Sequence, residues 1–347
     1  MSVTACITSV SGPILLAEER AFLREAEPWG VILMGRSCET RAQVQALTAD
    51  IRDALGRDAL IFIDQEGGRV ARLKAPEWPK FPAAGVYGAL YSHDPARASE
   101  ACKLGHQLMG YELRTIGVNA DCAPCCDLRQ SDTHDAIGDR SFGYTVEGGV
   151  ALTEAALRGL SEAGVAGVVK HMPGQGRATM DTHYDLPSVA ADISHLLHDL
   201  SIFEALSEEA VMGMTCHVIF EAFDPHLPTT ISPTVISEAI RKRIGFQGLL
   251  MTDDLGMDAL GGALADRGAK ALAAGCDILL HCSGFVKDPA AILKEMEAVA
   301  GAAGTLSGTA LERAERAAQA AGQPVAFDTE AAWARFNELM SGAEARA

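Results

Sequence analysis

Short apolar runs rich in β-formers recur along this chain with longer, helix-patterned segments between them, and that alternation limits the fold more than any single residue does. The runs are "GVILMGR" (30–36), "ALIFIDQ" (59–65), "GVNADCAP" (117–124), "AGVVKHMP" (166–173), "VMGMTCHV" (211–218), "FQGLLMTDD" (246–254) and "CDILLHC" (276–282), with a further one near "TACITSV" (4–10). Helical patterning covers 38–56, where Val44, Leu47, Ile51 and Leu55 make one apolar stripe at spacings of three and four. It returns near 95–115, 147–163, 193–209, 233–243, 262–275 and 286–301. Roughly eight strands alternating with helices predict an α/β fold, a (β/α)8 TIM-like barrel. The expectation is a single catalytic barrel over 1–304 and a C-terminal helical extension over 305–347, packed back through Trp333, Phe336 and Leu339. A doubly wound sheet is the alternative, but it usually has fewer strands, and no Gly-x-Gly-x-x-Gly follows the first one here.

Composition narrows the class. The 347 residues are 48% hydrophobic, enough for a sizeable core, and Lys+Arg 29 against Asp+Glu 46 gives a net charge of -17. That balance argues against nucleic acid or an anionic membrane as partner, since both need a basic footprint. The first 22 residues carry no Lys or Arg before Arg20 and no long apolar region, and no run approaches a membrane span, so a cytoplasmic protein is expected. Nine cysteines, irregularly spaced, imply reduced thiols. The C-x-x-C in "CAPCC" (Cys122, Cys125, Cys126) has no second pair at zinc-like spacing, and reads as buried small side chains.

The polar residues fall in a telling place. Asp64, Asp121, Lys170, His171, His217, Asp253 and His281 all end apolar runs, and barrel enzymes build their active sites on that rim. In "FIDQEGGRVARL" (62–73), Asp64 can accept two sugar hydroxyls with Arg72 reaching the same ligand, and the Gly-Gly turn lets backbone approach that ligand. "IGDRSFG" (137–143) adds Arg140 in a loop. In "GFQGLLMTDDLGM" (245–257) a buried strand runs into two aspartates, of which one can face the barrel mouth. If Asp253 does, Met251 and Leu249 form a dry floor beneath a carboxylate suited to nucleophilic attack, and Asp254 is free to cap a helix. The polar stretch "KHMPGQGRATMDTHYDLP" (170–187) sets Asp181 two residues before His183. In an extended loop both face one side, so the carboxylate can fix the imidazole tautomer and raise its basicity, which describes a general acid/base.

The segments "DQEGGRVAR", "DRSFG", "KHMPGQG…DTHYDLP", "CHVIF" and "GFQGLLMTDDLGM" resemble, in order, the motifs of glycoside hydrolase family 3. Within it they are similar to the bacterial β-N-acetylglucosaminidases (β-hexosaminidases) of peptidoglycan recycling, over about residues 10 to 300. The resemblance implies a retaining exo-acting hydrolase in cell wall and carbohydrate metabolism. It removes N-acetylglucosamine from cytosolic peptidoglycan fragments, N-acetylglucosamine joined to 1,6-anhydro-N-acetylmuramic acid with or without peptide. It also implies Asp253 as nucleophile, His183 as acid/base and Asp181 as its partner. Asp64, Arg72, Arg140, Lys170, His171 and His217 are the implied sugar-binding residues. The expected partner is a small carbohydrate, with no cofactor and no metal, and the chain is expected to act as a monomer. Three positions depart from the family pattern: Gln175 where His is common, Met172 where Phe or Ile is usual, and Thr182 where Ser is usual.

Other readings compete. His171, His183, His217, His281 and Asp253 could ring a divalent ion in a metal-dependent hydrolase, although no His-x-His or His-Glu-x-x-His pair occurs among them. A neutral imidazole does not repel an anionic acceptor, so a β-N-acetylglucosaminide phosphorylase on the same scaffold is a second alternative. A non-catalytic sugar-binding barrel and a Schiff-base Lys170 are the others.

Overall fold

The structure is a computed structural model that describes residues 3–343. Its barrel strands are β1 (Thr4–Ser9), β2 (Pro28–Leu33), β3 (Leu60–Ile63), β4 (Ala120–Asp121), β5 (Ala166–Gly167), β6 (Val169–Met172), β7 (Met212–Thr215), β8 (Leu249–Met251) and β9 (Leu279–Leu280). One ladder runs β9-β1-β2-β3-β4-β5 and a second runs β6-β7-β8, every pairing parallel. A single residue, Val168, separates β5 from β6, so they act as one stave of eight. Parallel bridges Cys125–Lys170 and Met251–Ile278 carry the pairing across the two remaining gaps. The (β/α)8 TIM-like architecture follows.

Period-two alternation explains why it closes around a core. Ile32, Leu60 and Phe62 belong to one buried cluster with Ile7, Val169, Met212 and Leu249 from other staves. Their neighbours Val31, Leu33, Ile61 and Ile63 point the other way, into a second cluster with Val44, Leu47, Ile51 and Leu55. Those four are the stripe on helix α2 (Arg41–Leu55), which starts at a Thr40 cap and stops at Gly56 in the left-handed region. Each fully buried Ile, Leu or Phe contributes about 1.5–3 kcal/mol relative to exposure. The remaining helices are α1 (Ala17–Ala26), α3 (Ala84–Tyr91), α4 (Pro95–Thr115), α5 (Val146–Glu162), α6 (Ile193–Ala205), α7 (Leu264–Ala274), α8 (Pro289–Ala303), α9 (Gly308–Ala320) and α10 (Thr329–Met340). A π-helix occupies Val235–Arg243. Sequence patterning missed α1 and α3.

Helix α10 lies on α3 and α4. Phe336 and Leu339 are buried there with Tyr87 and Leu108, and Trp333 stacks on Phe81 at 5.5 Å. Arg97 of α4 donates to the carbonyls of Leu339 and Ser341 at 2.7 and 2.8 Å. Residues 344–347 of the expected extension lie outside the described residues. All nine cysteines are free thiols, eight of them buried, and burial holds the Cys6 thiol up at about 12. Among the described residues no helix is long and apolar enough to cross a membrane.

Candidate active site

A cavity of about 370 Å³ opens at the C-terminal ends of the staves. Asp64, Arg72, Arg140, Lys170, His171, Asp181, His183 and Asp253 all line it, although the sequence spreads them over 190 positions.

Its inner part is a net of buried ion pairs. Asp64 follows β3 and Lys170 sits within β6. Asp64 accepts from Arg72 Nη2 at 2.9 Å and from Lys170 Nζ at 3.2 Å. Glu66, two residues on and unflagged by the sequence reading, takes Lys170 at 2.6 Å and the Arg140 guanidinium bidentately at 2.8 and 2.9 Å. Lys170 and Glu66 side chains are 3% and 5% exposed, so both charges must be compensated inside the protein. Burial alone would raise the Asp64 carboxyl, but Lys170 and Arg72 outweigh it and hold it below the usual range. Glu66 is held well below by the same opposition, with Arg140 the stronger partner. Burial would lower Lys170, yet the two carboxylates keep its ammonium protonated far above ordinary lysine.

The Gly67–Gly68 turn packs closely against a neighbouring segment. Both residues have positive φ, and a Cβ would sit 2.2 Å from the Pro82 carbonyl at Gly67 and 2.6 Å from Ala83 Cβ at Gly68. The close approach that these glycines permit here is to the chain at 81–83. It folds Gln65–Gly67 back on Val70–Ala71, and Gln65 Oε1 accepts from the Arg72 and Leu73 amides at 2.9 and 3.0 Å. That hairpin carries Arg72 back to Asp64.

His171 is held from behind. Asp127, also missed in the sequence, accepts from its Nδ1 at 2.6 Å, from its backbone N–H at 3.3 Å and from the Gln175 amide at 2.5 Å. With the proton on Nδ1, Nε2 is left to accept from Arg140 Nη2 at 3.4 Å. Burial would raise the Asp127 carboxyl, but the adjacent imidazole and these donors bring it below normal. The Lys170–His171 peptide is cis.

The Asp181–His183 pair forms, but not through an extended segment. Residues 181–185 make a tight turn, with the Tyr184 and Asp185 amides donating to the Asp181 carbonyl at 3.1 and 3.0 Å. Asp181 Oδ1 then accepts both the His183 amide, at 3.0 Å, and His183 Nδ1, at 2.6 Å. The contact is that of an Asx turn. Partial burial would raise the Asp181 carboxyl, but these bonds lower it. Gln175 Nε2 donates to Thr182 Oγ1 at 3.2 Å, so two of the three departures from the family pattern form one contact at the base of this turn. The His183 carbonyl accepts from the Asp258 amide at 3.3 Å, which fastens the turn to the segment after Asp253.

Asp253 stands just past β8, and one oxygen accepts from the Asp254 amide at 2.8 Å. The apolar lining of the cavity includes Met34, Met214, Met257, Leu280 and Phe285 but not Met251 and Leu249, which are buried and do not reach it. Nor does Asp254 cap a helix. It accepts from Gly256 N–H, Cys282 N–H and His281 Nδ1 at 2.9, 3.0 and 3.1 Å. His281 Nε2 meets Glu295 at 3.1 Å. Burial would lower this imidazole, but the two carboxylates raise it to about 9.

His217 is not on the cavity. It is fully buried, with Nδ1 on Thr230 Oγ1 at 2.7 Å and Nε2 on the Asp254 carbonyl at 3.0 Å, so both nitrogens are engaged away from a sugar. The five groups of the metal alternative do not converge, because His217 and His281 are each committed elsewhere. The residues within ligand reach of one another, among those described, are Cys125, Asp127 and His171.

A (β/α)8 barrel whose mouth combines a buried carboxylate–cation cluster with a separate carboxylate and a histidine–aspartate pair is the framework of a carbohydrate-active hydrolase. The chain belongs to glycosyl hydrolase family 3, matching the family's N-terminal domain over residues 10–318. It is 39% identical over 278 residues to a beta-hexosaminidase of Alkalilimnicola ehrlichii, covering 79% of each chain. It is 36% identical over 299 residues to a beta-hexosaminidase of Xanthomonas campestris, covering 85% of this chain and 88% of the relative. In structure it is similar to NagZ from Neisseria gonorrhoeae in complex with N-trifluoroacetyl-D-glucosamine, with TM-score 0.80, 26% identity and 98% of each chain covered. A family 3 beta-N-acetylglucosaminidase from Paenibacillus superposes with TM-score 0.83 at 28% identity, covering 96% of this chain and 67% of that one. The chain is thus a glycoside hydrolase of the beta-hexosaminidase type.

Proposed function

We propose that this barrel is a retaining exo-β-N-acetylglucosaminidase with Asp253 as nucleophile, His183 as acid/base and Asp181 as the group that holds the imidazole. The observation that carries the reading is that Asp253 and the Asp181–His183 pair line the same cavity as the Asp64–Arg72–Lys170 cluster. The cluster, extended by Arg140 and His171, binds the sugar: carboxylates accept from hydroxyls while the cations donate to them. His217 is assigned instead to holding the Asp254 carbonyl.

In the first step Asp253 forms a bond to the anomeric carbon as the glycosidic C–O bond breaks. His183 Nε2 passes its proton to the leaving oxygen, and the Asp181 carboxylate on Nδ1 stabilises the imidazolium before that transfer. In the second step neutral His183 takes a proton from water, which attacks the anomeric carbon and frees Asp253. Retaining enzymes commonly pair two carboxylates about 5 Å apart, and the imidazole on a turn is a variation on that plan.

The natural substrate in this reading is a cytosolic peptidoglycan fragment, N-acetylglucosamine linked to 1,6-anhydro-N-acetylmuramic acid with or without peptide. The test compares hydrolysis of a nitrophenyl N-acetyl-β-glucosaminide with the matching β-glucoside, then assays the fragment itself. Preference for the acetamido sugar and turnover of the fragment are expected. Equal rates on both glycosides would remove the sugar assignment, and inertness toward the fragment beside good turnover of chitobiose would remove the cellular one.

A further inference from the structure

Two aromatic side chains beside His183 have no part in the mechanism above. Tyr184 comes from the Asp181–Tyr184 turn and Phe285 from the loop between β9 and α8, and they are 66% and 54% exposed. Their ring centroids lie 6.3 Å apart with 56° between planes. The His183 imidazole is 6.2 Å from Phe285, near edge-on at 74°, and 6.4 Å from Tyr184. Phe285 lines the cavity beside Met34, Met257 and Gly284. Among the described residues, the guanidinium groups found over aromatic rings are those of Arg41, Arg129 and Arg241, on Trp78, Tyr144 and Phe246, so no arginine covers this pair.

We infer that Phe285 and Tyr184 form an aromatic wall that receives the group attached to the scissile oxygen, and that this side of the site selects a leaving group with an apolar ring face, a second pyranose above all. The inference rests on His183 being the acid/base. A proton donor must approach the leaving oxygen to about 3 Å. The ring bonded to that oxygen then stands within about one ring width of the imidazole, which is the shell where both aromatic centroids already sit. The sugar on the other side of the bond is taken by Asp64 and its cations, so the wall meets only the departing group. A pyranose presents axial C–H groups on its face, and these settle against the negative face of an aromatic ring while both surfaces leave water. Two rings from different loops, set at an angle, form a corner and not a flat plate, and a corner fixes the tilt of the departing ring toward Nε2.

The test uses the intact chain and two substrates that share the same N-acetylglucosaminyl group. Chitobiose has a pyranose leaving group, and N-acetyl-β-glucosaminyl fluoride has none. The ratio of kcat/KM for the disaccharide to kcat/KM for the fluoride should fall about tenfold in the Phe285→Ala, Tyr184→Ala double variant, mostly through KM. Phe285→Tyr should keep the wild-type ratio, because it keeps the ring. Both residues are exposed, so the variants should unfold at the wild-type temperature. An unchanged ratio in the double variant, whether both rates fall together or neither falls, overturns the wall and leaves the rings as a clamp on the turn or as bystanders. Wild-type protein that cleaves neither substrate sinks the acid/base reading and the wall with it, an outcome distinct from a wild type that cleaves both and a variant that discriminates as it does.

Discussion

The inner part of the cavity and its rim are built on opposite terms. Inside, Asp64, Glu66, Arg140 and Lys170 are held by strand ends and by one another, nearly without solvent. At the rim, His183 is half exposed and leans on a carboxylate of its own turn, with Asp258 and Phe285 touching His183 and Gln175 touching Thr182 from outside the turn. The inner groups hold one another in place, because removing any one strands a buried charge. The rim keeps its geometry through single hydrogen bonds, of which the Asp181–His183 contact is exposed. On the proposed reading, recognition is thus built into the fold's stability, and the proton-transfer group is nearly independent of it.

Variants can break that contrast. Asp253→Ala gives the largest expected effect, loss of turnover on every substrate by more than about 10⁴-fold, since no glycosyl-enzyme can form. Initial rates and intact-protein mass after mixing with a fluoride donor measure it, and a residual rate near wild type would remove Asp253 as nucleophile. His183→Ala should lose on the order of 10²–10⁴-fold on a disaccharide. A nitrophenyl glycoside should instead show a burst followed by slow release, because its leaving group needs little protonation. Equal losses on both would make His183 structural. The unfolding free energy of this variant should move by no more than about 0.5 kcal/mol, as for a surface change. Glu66→Ala is the counterpart: urea unfolding should report a loss of about 3–5 kcal/mol, with sugar affinity falling as Arg140 and Lys170 lose their anchor. A Glu66→Ala protein as stable as the parent would collapse the distinction between the two regions.

The smallest effect sharpens the contrast through pH. His281, held between Asp254 and Glu295, has its proton affinity raised from the ordinary 6.5 to about 9. A raised value means that the folded state binds the proton more tightly than the unfolded one. That stabilisation is complete below pH 6.5 and is lost as pH climbs through 9. Thermal unfolding followed from pH 6 to 9.5 should therefore decline by a few degrees, and His281→Gln should flatten that decline. An unaltered profile in the variant would show that the imidazole carries no net proton linkage.

The sequence made the staves and most of the inner ligands legible, because both follow from local pattern. Asp64, Lys170 and Asp253 each end an apolar run, and the α2 stripe could be counted residue by residue. Glu66 was missed although it alternates with Asp64, since its partners Arg140 and Lys170 are distant in the chain and no local rule pairs them. Asp127 was missed for the same reason, lying 44 residues before His171. Helix α3 was unreadable because two glycines dilute it. Packing imposes one of them: a Cβ at Gly88 would stand 1.7 Å from the Phe142 carbonyl. The Asp181–His183 contact was expected from the right spacing but the wrong backbone, as turn and extended chain both bring residues i and i+2 together. His217 looked like a ligand because it ends a strand, and only the packing of Thr230 and Asp254 around it reveals that neither nitrogen is free.

The hydrogen bond from the Asp258 amide to the His183 carbonyl gives the 181–185 turn a clock that can be read without substrate. That N–H is shielded while the turn rests against the segment carrying Asp253, and it becomes open to deuterium when the turn departs. Its exchange rate would count any such departure, at a single backbone position, in the resting protein.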